Sequence, residues 1–418
     1  MSGTSSSVDT AQEVQSQPVW ARPDALPLKP DASGEFGFTD HKGIEHPCDS
    51  LEALAEKAGK SRDGIALVWT PESDRMLVPE EVPAMHKPLR QRRRKFAQRD
   101  VSDGARMGLV FGVALLWTLY AAWNNGGKNI ESLYSHQLTG LAALLLLIFG
   151  ALPFYEGWKT RRLLEQTKAS DMAKEIPEAR FDAWLERRSI PATWFLLGGL
   201  LFVGLIQLYI DRGSGGLTES IQQAGQLKNK ASQFSNVEDA HAWWRILTAG
   251  VLHGNPIHFL MNAAGILYLG RRTEALARWP HLLIVFFAAM WMGGVASARL
   301  MPNDPAVGAS GGLMGLLGFM LVFEFLHKKL VPRPARRRLL AGLILMGVMG
   351  FLGMSFIDNA AHAGGLLAGL VYAVVVFPPS ASAARPMAEG KDKIVGALAA
   401  FSFLMICALA GIKILSLA

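Results

Sequence analysis

Beyond about residue 100 the chain alternates long apolar stretches with short polar ones. Nine apolar stretches of about 17–25 residues lie near 105–124, 137–155, 191–210, 248–270, 281–299, 309–327, 339–356, 361–378 and 394–416. A helix of that length crosses a hydrocarbon core of roughly 30 Å. The pattern predicts an all-α polytopic membrane protein. The N-terminal part is patterned differently. Residues 1–40 are rich in Ser, Pro, Gln and Asp without apolar periodicity, which predicts a disordered tail. Within 41–100, Ser50–Lys57 has helical periodicity, while Ile65–Trp69 and Arg75–Val78 read as a strand pair around Thr70–Asp74. A small cytosolic domain is expected there, ending in the basic flank Lys87, Arg90, Arg92, Arg93, Arg94, Lys95 and Arg99. No apolar core follows the first residues, so no signal peptide is expected.

Charge gives these stretches a direction. With the N-terminus inside, the cytoplasmic flanks hold 27 Lys and Arg against 6 outside, and every loop agrees with the alternation. Lys and Arg are retained on the cytoplasmic side. The net charge of +7 therefore reads as topology, and no nucleic-acid partner is expected. Half of the residues are hydrophobic, only 18% are charged, and 42 are glycine, the small residue that lets membrane helices approach. Cys48 and Cys407 fall in a polar N-terminal stretch and a late apolar one, so no disulfide is expected.

In this topology the fourth, sixth and eighth stretches all descend from outside, so their first turns share one depth. The polar residues that look misplaced in lipid fall in that layer: His253, His258 and Asn262, then Ser310, then His362. Polar groups within a membrane require partners or a task. Serine hydrolysis needs a base to take the hydroxyl proton and donors for the oxyanion. Gly308 and Gly311 flank Ser310 and give its backbone room. Gly311, Gly315 and Gly318 form a small-residue stripe in the sixth stretch, and Gly365 and Gly369 follow His362 on one face of the eighth. Packing of the two stripes would bring imidazole to hydroxyl. The plainer alternatives are that Ser310 is one more small packing residue and His362 a histidine satisfied at a helix interface.

His258 and Asn262 are four residues apart and share a helical face, with Asn255-Pro256 as cap and first-turn residue. An Asn amide and an imidazole N–H suit an oxyanion hole; Asn hydrogen bonding between helices is the alternative. His253, ahead of the helix, is expected to support the site. Asp358 is expected to be a cap or loop residue, since it could orient His362 only if the helix began early.

Together, Gly308-x-Ser310-Gly311, Asp358-Asn359-Ala360-Ala361-His362-x-Gly364-Gly365 and His253-x4-His258-x3-Asn262 resemble the motifs of rhomboid intramembrane serine proteases. Trp244-Arg245 resembles the Trp-Arg pair of their first outer loop, a structural pair in that family. The resemblance covers roughly 190–378 and implies a six-helix core. It implies a dyad of Ser310 as nucleophile and His362 as base, with Asn262, His258 and the Ser310 N–H as oxyanion hole. It also implies that the 211–245 loop lies partly in the outer leaflet, that the seventh stretch or its cap gates substrate access, and that a small side chain precedes the cut. In well-studied members an aromatic residue stands where this chain has Met314; a thioether also packs on imidazole, so an altered rate or pocket is expected. The domains expected are the tail (1–40), the cytosolic domain and basic flank (41–100), two extra spans with a loop (101–190), the core (191–378), and a linker with one extra span (379–418).

Other classes fit less well. No His-Glu-x-x-His run for a metalloprotease occurs, and the clear acidic residue in a span, Glu324, is near the cytoplasmic end. Transporters place ionisable groups near the midplane. The alternative is an inactive rhomboid-like protein that binds transmembrane helices for quality control. No cofactor and no metal are expected; the partners expected are the bilayer and transmembrane substrates. A bacterial inner membrane is expected, since Asp9 and Glu13 are foreign to an acid-poor transit peptide.

Overall fold

The computed structural model describes residues 17–30, 34–60, 64–126, 128–213, 218–225, 243–301 and 306–416. Helices correspond to all nine apolar stretches, and the chain is an all-α polytopic membrane protein apart from one small sheet. It divides into two units: residues up to Arg187 with Ile344–Ile357, and Arg188–Leu343 with the chain from Asp358 onward.

The first unit opens with strands β1 (Phe36–Thr39), β2 (Glu45–Cys48) and β3 (Leu67–Trp69), antiparallel in the order β2-β1-β3, and helix α1 (Leu51–Lys60). The expected strand pair is shorter than its two runs; Val68 and Leu77 meet in an isolated antiparallel bridge. Residues 17–30, expected in a disordered tail, pack instead: Leu26 is buried in a cluster with Leu67, Trp69, Met76, Val78 and Ala183. Ala183 lies in helix α4 (Ile176–Glu186), beyond the first two spans, so the domain expected at 41–100 is completed by chain from both sides of them. Arg180 of α4 donates to Glu81 at 2.6 Å and to the Arg22 carbonyl at 2.9 Å, and the ring of Trp20 stands edge-on to Phe181. Two apolar residues and one forked donor in α4 thus hold the segment that composition alone assigned to a tail.

Between them run α2 (His86–Asn125) and α3 (Gln137–Gln166). α2 is a single 40-residue helix, its basic first turns continuous with its apolar part. α3 widens into a π-turn at Leu146–Ala151, just before Pro153, which has no N–H to continue the regular ladder.

Glu80 is a buried carboxylate of this unit. Burial pushes its pKa above the ordinary 4.5, with Arg93, at 3.2 Å, pulling the other way. A carboxyl whose folded pKa is raised holds its proton more tightly in the fold, so stability falls as pH rises from about 4.5 through the folded pKa. Glu80→Gln should therefore gain stability over the wild type at pH 8 and lose that advantage near pH 4, read by thermal unfolding of the full chain; a difference independent of pH would contradict this.

The second unit contains α5 (Pro191–Ile210), α6 (Pro256–Ala277), α7 (Trp279–Leu300), α8 (Ser310–Leu326), α10 (Asn359–Val376), α11 (Gly390–Leu415) and the start of α9 (Arg333–Leu352). Asn255 caps α6 by accepting from the His258 N–H at 2.8 Å, so the helix starts eight residues later than the apolar stretch at 248. It also runs on past residue 270, and its last turns place charge inside the protein. Glu274 accepts from the free N–H groups of Ala192 and Thr193 at the start of α5, at 3.0 and 2.9 Å. Arg272 and Glu324 form a two-pronged pair at 2.5 and 2.9 Å, each side chain 1% exposed, and Arg272 also reaches the Ala335 carbonyl. Among the described residues, six helices (α2, α3, α5, α7, α10 and α11) are long and apolar enough to cross a membrane. α8 is apolar but 17 residues long, and α6 carries charge in its last turns and α9 in its first.

Candidate functional site

α8 and α10 approach until their backbones touch. A methyl group built on Gly365 would lie 2.0 Å from the Gly311 carbonyl oxygen, and one on Gly369 would lie 1.9 Å from that of Gly315. The two glycine stripes seen in the sequence are the contact. Gly311 follows Ser310, the first residue of α8, and Gly365 is three residues past His362, in the first turns of α10. The heads of the two helices therefore lie side by side, with both side chains half-buried. Among the described residues no hydrogen bond joins Ser310 to His362; such pairs are often loose before substrate arrives.

The chain before Ser310 bends sharply. Gly308 has φ +126°, a conformation that L side chains rarely adopt, and its N–H donates to the Ala249 carbonyl at 2.9 Å. A side chain there would also meet His258, whose Cε1 and Nε2 lie 2.7 and 3.0 Å from the position of its first carbon, with Asn262 Nδ2 at 3.6 Å. Gly308 thus lets the approach to Ser310 lie directly on the two candidate oxyanion donors of α6. Asn262 is buried, and its Nδ2 has no hydrogen-bond partner among the described residues. A buried amide without a partner costs about 1–3 kcal/mol, and such groups are rare without a reason.

His253 is 1% exposed, and neither ring nitrogen has a partner among the described residues. Its ring stands edge-on to His258 at 5.3 Å between centroids and to Phe259 at 5.2 Å. Its main chain is fixed from both sides by Gln207, which accepts from the His253 N–H and donates to its carbonyl, each at 3.1 Å. His253 is therefore a wall behind His258. Gln207 was not legible as part of the site; a lone Gln in an otherwise apolar span was its only signal, and its amide also donates to Ser220. Met314, one turn into α8, is 7% exposed. Arg245 stacks on Trp244 at 4.9 Å and donates to the Gly225 carbonyl at 3.0 Å. Most of the 211–245 loop, which was expected to lie partly in the outer leaflet, is outside the described residues.

Asp358 is the N-cap of α10: its Oδ1 accepts from the Ala361 N–H at 2.9 Å. Its Oδ2 accepts from the hydroxyl of Ser297 on α7, a residue with no exposed surface. Among the described residues no group of three or more His, Cys, Asp or Glu could hold a metal ion.

Residues 240–379 match the family profile described as the Rhomboid domain. The chain is 27% identical to Rhomboid protease GluP of Bacillus subtilis (strain 168) over 229 residues, which are 55% of this chain and 43% of that protein. It is 31% identical to RHOMBOID-like protein 6, mitochondrial, of Arabidopsis thaliana over 140 residues, 33% of this chain and 45% of that one. It is 32% identical to Inactive rhomboid protein 2 of Homo sapiens over 147 residues, 35% of this chain and 17% of that one. The match spans less than half the length of each of these relatives. Residues 240–379 of the chain thus form a region similar to the Rhomboid domain, and this similarity supports membership of the rhomboid family.

Proposed function

We propose that this chain is an intramembrane serine endopeptidase that cuts single-pass transmembrane proteins near the outer leaflet. The observation that carries the proposal is the interlock of Gly311 with Gly365, which holds the helix heads bearing Ser310 and His362 side by side. A substrate helix weakened by Gly, Ala or Pro reaches the site laterally and unwinds locally, because an intact helix keeps its peptide groups bonded. Ser310 Oγ attacks the exposed carbonyl carbon while His362 takes the hydroxyl proton. The oxyanion is received by Asn262, His258 and the Ser310 N–H. His362 returns its proton to the leaving amine, and the chain beyond the cut departs. Water, activated by the same imidazole, then hydrolyses the ester and frees Ser310. A small residue before the cut, an N-terminus in the cytoplasm and a bacterial inner membrane belong to the same proposal.

The second reading, a helix-binding protein without catalysis, is favoured by the match to Inactive rhomboid protein 2. Against it stand the serine, the histidine and both oxyanion candidates, all present here. Labelling by a fluorophosphonate, together with cleavage of a single-pass substrate in detergent, separates the two. Labelling with product supports the protease; neither, from folded wild type across several substrates, supports the helix binder. Within the protease reading, Asn262→Ala should lower kcat about 10²–10³-fold, as removal of one oxyanion donor does elsewhere. A KM effect alone would remove Asn262 from the oxyanion hole.

A further inference from the structure

We infer that Asp358 and Ser297 form a positioning pair that sets the height and rotation of His362. The inference rests on the protease reading of Ser310 and His362. α10 is fixed in distance by backbone contact on two sides. Gly365 meets Gly311 of α8, while a carbon built on Gly293 of α7 would lie 2.8 Å from the Ala361 carbonyl oxygen. Contacts between smooth glycine surfaces limit how far apart helices stand, yet leave them free to slide and roll. A directional bond at the helix start removes that freedom. Asp358 supplies it twice: Oδ1 holds the Ala361 N–H at 2.9 Å, and Oδ2 holds the buried Ser297 hydroxyl of α7. The first bond fixes where α10 begins, one turn before His362, whose N–H bonds to the Asp358 carbonyl at 3.1 Å. The second ties that beginning to a neighbouring helix. Each carboxylate oxygen thus already accepts a bond that anchors the helix start.

The test compares Asp358→Ala, Asp358→Asn and Ser297→Ala in the full chain. Asp358→Ala should lower kcat by about 10–100-fold, the scale of a misplaced reacting group, with KM changed by less than about twofold. Asp358→Asn keeps a carbonyl for the Ala361 N–H and an amide for Ser297, and should hold kcat within about threefold of wild type. Loss of the acid of a triad, by contrast, costs about 10⁴-fold in kcat when Asp becomes Asn. Ser297→Ala should cost several-fold, and the double variant Ser297→Ala/Asp358→Ala no more than Asp358→Ala alone, the signature of coupled sites. Amide exchange over 359–364 should quicken in Asp358→Ala and stay slow in Asp358→Asn. Wild-type kcat in Asp358→Ala, or an Asp358→Asn chain as inactive as His362→Ala, would overturn the inference. If the wild type neither cleaves nor labels, the protease reading fails, while unchanged exchange in Asp358→Ala would separately show that Asp358 anchors nothing.

Discussion

Ser310→Ala and His362→Ala are each expected to abolish proteolysis, with kcat falling on the order of 10⁴-fold or more. The two losses should be alike, because a hydroxyl without its base and a base without its hydroxyl both stop the first step. The double variant should be no worse than either single one, as groups that act as a unit are not additive. Both variants should fold. Ser310 is the first residue of α8, both side chains are half-buried, and alanine is the best helix former. Fluorophosphonate labelling gives an independent reading: wild type should label, Ser310→Ala not at all, and His362→Ala only very slowly. Cleavage by Ser310→Ala at the wild-type rate would remove Ser310 as nucleophile, whatever its surroundings.

Gly369→Ala is expected to produce the largest loss of stability. The added carbon would lie 1.9 Å from the Gly315 carbonyl oxygen, and at Gly365 it would lie 2.0 Å from that of Gly311. In both cases the obstacle is backbone, so no flexible side chain can yield and the helices must part. Overpacking of this kind costs about 1–3 kcal/mol and at times more. The two positions should differ in what fails first. Gly365 lies one turn from His362, so Gly365→Ala should lose activity under conditions where the protein remains folded. Gly369 lies a turn deeper, and its alanine variant should chiefly lower the thermal unfolding temperature. Gly198 in α5 is the control, since nothing lies within 4 Å of a carbon added there. Gly198→Ala should be neutral or stabilising by roughly 0.5–1 kcal/mol through helix propensity alone. Equal behaviour of Gly198→Ala and Gly369→Ala would mean that α8 and α10 are not interlocked as described.

The positions that were readable in advance share a property. The apolar stretches, the Asn255-Pro256 start of α6, the Asp358 cap expected ahead of α10 and the two glycine stripes are all local: length, periodicity and spacing within one helix reveal them. Their ends were less legible. α6 runs past residue 270 because Arg272 and Glu274 have partners inside the protein, and nothing in their own neighbourhood announces those partners. The segment after the second apolar stretch gave no sign that Ala183 and Arg180 complete the N-terminal domain, for their contacts with Leu26 and Glu81 join distant parts of the chain.

For the site the division is similar. The sequence by itself determined which residue types are candidates for the chemistry and that three helix starts hold them, because reactivity belongs to side chains and helix starts to short-range backbone preferences. Only the tertiary structure decided that Gly311 meets Gly365, that His258 and Asn262 lie against Gly308, that Gln207 fixes His253 and that Ser297 holds Asp358. Each of these depends on how far apart two helices stand and how each is rotated. Those quantities are set by packing summed over whole helices, and no window of sequence contains them.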